Sequence, residues 1–106
     1  MLRVDHEPPA RPPVQVAVGE RVQVGRRDDE WPAFVFVTAE SGSGWVPARH
    51  IDEGVVVTEY DTTELRAVAG DVVEVVADDV ESGWAWCRDV RGREGWIPHR
   101  ALGPAG

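Results

Sequence analysis

Apolar and polar positions alternate along much of the chain with a period of two, and no window of useful length carries the helical period. Val14, Val16 and Val18 alternate with Gln15 and Ala17, a half-buried strand signature, and Gly19-Glu20 turns into a strand opened by Val22 and Val24. Phe34 to Thr38 reads as the next strand. Glu40 to Gly44 is a glycine-rich turn, Trp45-Val46 is a strand, and Pro47 ends it. Ala48-Arg49-His50 has the length of one 3₁₀ turn. Downstream, Val55 to Tyr60 is rich in β-branched residues, and Leu65, Ala67 and Ala69 alternate before Gly70-Asp71. Strands are predicted over Val72 to Ala77, Trp84 to Asp89 and Glu94 to Ile97, joined by the acidic loop Asp78 to Gly83 and the turn Arg91-Gly92-Arg93. Many short strands with turns between them predict an all-β fold of small antiparallel barrels. Pro8, Pro9, Pro12 and Pro13 exclude a helix or central strand near the start, so residues 1–13 are expected as an extended, polyproline-like loop.

The pattern occurs twice. Gly19-Glu20-Arg21-Val22-Gln23-Val24 matches Gly70-Asp71-Val72-Val73-Glu74-Val75, and Gly44-Trp45-Val46-Pro47-Ala48-Arg49 matches Gly95-Trp96-Ile97-Pro98-His99-Arg100, both at an offset of 51. Phe34-Val35-Phe36-Val37 matches Trp84-Ala85-Trp86-Cys87 at an offset of 50. Matches in one order at a nearly constant offset indicate a duplication. The expected domains are 1–52 and 55–103, with a short linker at Asp52-Glu53-Gly54 and a hydrophobic interface between the two. A length of 106 residues suits one ordinary domain or two very small ones, and units this small gain stability by packing on each other.

The second copy resembles the SH3 domain family. Glu64-Leu65, Gly70-Asp71, Gly83-Trp84 and Gly95-Trp96-Ile97-Pro98 follow that family's pattern in order and approximate spacing, and Val56 to Tyr60 stands where the family has its Ala-Leu-Tyr-Asp-Tyr stretch. The first copy, with its proline-rich loop and Glu30-Trp31-Pro32, is similar to the bacterial variant SH3 type. The resemblance implies two tandem five-stranded SH3-like barrels, each with a groove for extended peptides. It places Tyr60, Trp84 and Pro98 on the floor of the second groove, with Thr58 and Ala101 where the family has tyrosines. In the first groove it places Pro47, Phe34 in the tryptophan position, His50 in the 3₁₀ tyrosine position and His6 in the first stretch, with Trp31 as a groove wall or a loop anchor. Asp61, Glu64, Asp79 and Glu81 would flank the second groove and meet an arginine or lysine of the ligand, or serve only as a solvated acidic surface.

Charge narrows the classes of partner. The net charge of -8 opposes phosphate neutralisation and so argues against nucleic acid. It favours basic partners, through steering more than through strength. No apolar run is long enough to span a bilayer, and the start carries charges and prolines where a signal peptide needs an apolar run, so the cytoplasm is the expected location. The lone Cys87 excludes an intramolecular disulfide and reads as a buried structural thiol. His6 and His50 could meet, but no third partner suggests a metal site, and no nucleophile with a base suggests catalysis. No cofactor is expected.

The function these features point to is non-catalytic binding of a protein or peptide partner, with an extended, proline-rich or basic segment in the groove of the second copy. Trp84 could equally cover the end of a small barrel, while Trp86 and Phe36 read as packing residues, and Trp45 and Trp96 as core lids or groove edges. One rival is a structural scaffold or accessory subunit that docks flat on a larger protein with both grooves vestigial. Cell-wall binding is another. The segment Pro8 to Pro13 contains Pro9-x-x-Pro12 and an arginine, and could itself occupy the groove of the second copy, within one chain or between two.

Overall fold

The computed structural model describes residues 1–103. Among these the structure is all-β, with ten strands, two 3₁₀ turns and no α-helix. In chain order the strands are β1 (Gln15–Val16), β2 (Gln23–Arg27), β3 (Phe34–Ala39), β4 (Gly42–Pro47), β5 (Ile51–Asp52), β6 (Val55–Val56), β7 (Tyr60–Asp61), β8 (Val73–Asp79), β9 (Trp84–Asp89) and β10 (Glu94–Pro98). The 3₁₀ turns are Ala48–His50 and His99–Ala101, each directly after a strand-ending proline. Proline has no N–H to continue a ladder, so its position fixes where each strand stops.

The chain forms two compact units. One is Pro12–Thr62; the other is Met1–Arg11 together with the chain from Thr63 on. This differs from the boundaries that the repeat spacing predicts, and the reason is local. Asp52-Glu53-Gly54 is not a linker. Ile51 pairs with Val56 and Asp52 with Val55, so Glu53 and Gly54 form a two-residue hairpin loop with φ of 49° and 77°. Two successive positive φ values are what a tightly twisted hairpin requires, and glycine is the residue that adopts them freely. The hairpin turns the chain back, and β6 and β7 complete the first unit instead of opening the second.

Within Pro12–Thr62, β2, β3 and β4 form an antiparallel meander, while β5 pairs with β6 and β1 with β7. Its core is Val14, Val16, Val22, Val35, Val37, Val46 and Val56, with Tyr60 packed against it. The β3–β4 turn is Glu40-Ser41, because Ala39 pairs with Gly42; Gly42 and Gly44, expected in the turn, lie in the strand.

In the other unit, β8, β9 and β10 form the same meander. Its core is Leu2, Leu65, Ala67, Ala85, Cys87, Ile97 and Ala101. Leu2 is 1% exposed and bridges Leu102, so the first residues are a core element here and not part of a loop. Burying a leucine fully stabilises by about 1.5–3 kcal/mol, which offsets part of the entropy lost on ordering this terminal segment. The ladders close no barrel among the described residues: short pairs and isolated bridges surround each meander.

Candidate functional site

The alternation along β9 sets the site. Ala85 and Cys87 point into the core while Trp84 and Trp86 stay half-buried on the other face. Trp84 is the register partner of Pro98, where β10 ends, and of Asp79, where β8 ends. The backbone N–H of His99 donates to the Gly83 carbonyl at 2.8 Å, tying the 3₁₀ turn to the start of β9. An aromatic ring, a proline and an acidic strand end are thus brought together by ladder register alone.

The N-terminal segment supplies the next group. His6 and Ala67 exchange both backbone hydrogen bonds, at 2.8 and 3.2 Å. This places the imidazole edge-on to Trp84, with ring centroids 5.5 Å apart and planes at 76°. The same imidazole shares a hydrogen bond of 2.9 Å between Nε2 and Oε1 of Glu64, which becomes an ion pair when the histidine is protonated. Glu64 is held by a parallel bridge to Trp96, in which Trp96 N–H donates to Thr63 and Leu65 N–H to Trp96. That bridge requires Gly95, because a Cβ there would lie 2.6 Å from the Leu65 nitrogen and 2.7 Å from the Glu64 carbonyl carbon. Glu81 is exposed in the adjoining loop.

The Pro12–Thr62 unit carries a parallel arrangement. Phe34 pairs with Pro47 in the register that Trp84 shares with Pro98. Tyr60 lies edge-on to His50, with centroids 5.2 Å apart and planes at 84°. Phe34 is only 6% exposed and His50 8%, so this face is more closed than the one around Trp84. Asp61 accepts a hydrogen bond from the Gln15 side chain at 3.0 Å. The Asp28 carboxylate accepts the Glu30 and Trp31 N–H groups, and so fixes the loop that presents a half-buried Trp31.

The site expected at Tyr60, Trp84 and Pro98, flanked by Asp61, is therefore not assembled in one unit. Tyr60 and Asp61 belong to Pro12–Thr62, whereas Trp84, Pro98, Glu64, Asp79 and Glu81 belong to the other unit. His6 stands beside Trp84 where the sequence suggested tyrosine. His6 and His50, which could have met, lie in different units. The overlooked signal was spacing: Leu2 and His6 are separated as Val56 and Tyr60 are, and Leu2 and Val56 are each 1% exposed.

A second aromatic feature lies on the sheets. Trp86 and Trp96 meet edge-on at 5.3 Å, as do Phe36 and Trp45 at 5.1 Å, with the Arg26 guanidinium 5.2 Å from the Trp45 centroid. The Trp86 indole donates to Glu94 at 2.7 Å and Arg88 to the other carboxylate oxygen at 3.1 Å; together they hold the Glu94 carboxyl below its ordinary range. Cys87 is fully buried, and desolvation pushes its thiol up. Among the described residues no cluster of three His, Cys, Asp or Glu could hold a metal ion, and no helix is long and apolar enough to cross a membrane.

The family model for the variant SH3 domain matches residues 56–104. No curated protein and no solved structure gives a significant match. The matched stretch crosses the division between the units, since it begins in β6 and runs through β10. Residues 56–104 are thus similar to the variant SH3 domain, a class that commonly serves protein interaction.

Proposed function

We propose that the chain is a non-catalytic protein-interaction module made of two SH3-like units, and that the face around Trp84 is its principal reading surface. The observation that carries this is the juxtaposition of a half-buried Trp84, Pro98 and the His6–Glu64 pair at the end of one sheet. A rigid extended segment, above all a polyproline helix, loses little entropy on docking against such rings. Glu64, Asp79 and Glu81 would select a partner with an arginine or lysine beside its prolines. His6 takes the place assigned to Tyr60 in the sequence reading, and the Tyr60–His50 face of the other unit is a second, more closed groove.

The Trp86–Trp96 pair favours one competing reading, in which the sheet face docks flat on a larger protein. Two variants separate them. Partner affinity is measured for Trp84→Ala and for Trp86→Ala, each checked for retained fold by circular dichroism. Groove reading predicts a loss of about 30-fold with Trp84→Ala, the size of a hot-spot truncation, and little change with Trp86→Ala. The reverse ranking would overturn it.

A further inference from the structure

We infer that the two repeats exchange their first strands within one chain, and that the side chains at positions 6, 60, 64 and 50 select this pairing. The segments at residues 1–7 and 55–61 occupy equivalent slots, held by matching backbone bonds at their first residues. Leu2 N–H donates to Asp71 at 2.9 Å, and Val56 N–H donates to Glu20 at 2.9 Å. Gly70 N–H donates to Leu2 and Gly19 N–H to Val56, both at 2.8 Å. Arg3 N–H donates to Ala101 and Val57 N–H to His50, again both at 2.8 Å. Acceptors and donors in the two sets differ by the repeat offset of 51: Asp71 with Glu20, Gly70 with Gly19, Ala101 with His50. Each slot accordingly holds the strand that sequence order would assign to the other repeat.

Since these three pairs of bonds are equivalent, they do not decide which segment enters which slot. The side chains can. His6 enters the slot that offers Glu64, its hydrogen-bond partner; Tyr60 enters the slot that offers His50, its ring partner. At the repeat offset of 51, Glu64 corresponds to Pro13 and His50 to Ala101. In sequential pairing His6 would face Pro13 and a second imidazole, losing its acid, and Tyr60 would lose its ring partner to an alanine. The connections act in the same sense. The Glu53-Gly54 hairpin binds β6 to β5, and Pro8, Pro9, Pro12 and Pro13 stiffen the segment after the first strand against folding back. Under the proposed peptide-reading function, this makes each reading surface a composite of both repeats: histidine from residue 6 with Trp84, tyrosine from residue 60 with His50. The exchange itself does not depend on that reading.

The test needs no ligand. Nuclear Overhauser spectra of the full chain are recorded on a mixture of labelled and unlabelled protein, filtered to separate contacts within a chain from those between chains. Exchange predicts His6–Trp84 and Tyr60–His50 ring contacts within one chain. Contacts of His6 with His50 and of Tyr60 with Trp84, or ring contacts seen only between chains, would overturn it. Selection by side chains is tested in the double variant His6→Tyr with Tyr60→His. It predicts a second set of tryptophan indole signals from chains that have re-paired; one set with the original contacts and melting temperature would overturn the selection.

Discussion

His6 lies edge-on to Trp84, with ring centroids 5.5 Å apart, although the two residues stand far apart in the chain. The relationship links core packing to the reading surface: the segment that buries Leu2 also carries His6 to the indole. Anything that dislodges the first residues should therefore alter the Trp84 face without touching Trp84.

Leu2→Ala tests this link. Truncating a fully buried leucine costs about 2–5 kcal/mol, a large fraction of the stability of a small domain. Hydrogen exchange should show protection lost in β8, β9 and β10, which share a unit with Leu2, ahead of β2, β3 and β4. Loss confined to β2–β4 would contradict the assignment of residues 1–11.

Equivalent glycines should respond unequally. Gly95→Ala forces a Cβ to within 2.6 Å of backbone that cannot yield, so it should cost about 1–3 kcal/mol or more and separate Glu64 from Trp96. Gly44→Ala meets the Thr62 side chain no closer than 3.4 Å, at its methyl, and should be much milder. Chemical denaturation of the two variants gives the comparison directly.

Glu53 is the one described non-glycine residue with positive φ, at 49°. Asparagine tolerates that region better, and Asn-Gly is the preferred pair for such a hairpin. Glu53→Asn should stabilise the chain by up to about 1 kcal/mol, read as a raised melting temperature. A lower melting temperature would show that residues 52–55 do not form this turn.

The Glu94 carboxyl is held below its ordinary value of 4.5, first by the Trp86 indole and then by Arg88. A depressed folded value means that the associated stability is present above the unfolded value and is lost as pH falls through the folded one. Stability should thus decline on the acid side of the ordinary glutamate range. Glu94→Gln should flatten that decline, as measured by melting temperature against pH.

Much of the fold was legible in the sequence because it rests on short-range pattern. Alternation placed β9 with Ala85 and Cys87 inward, and Pro47 and Pro98 marked strand ends. The grouping of Trp84, Pro98, Glu64, Asp79 and Glu81 about one groove came instead from the resemblance to the SH3 family. What the pattern missed depends on a few residues acting at a distance. Met1 to Glu7 form only isolated bridges, too short to show a period, and the adjoining prolines suggested a loop. Asp52-Glu53-Gly54 reads equally as linker or hairpin, and only the pairing of Ile51 with Val56 decides. Tyr60 was consequently assigned to Trp84 when its ring partner is His50.

The central claim is that Trp84 and its neighbours are the surface that meets a partner. It is tested most directly by titrating the labelled full chain with an arginine-containing polyproline peptide while following indole and amide resonances. The account predicts saturable shifts at the Trp84 indole, His6 and Glu64, with the Trp86 indole unmoved. Saturable shifts centred on Trp86 and Trp96, or no shift at any resonance, would contradict it.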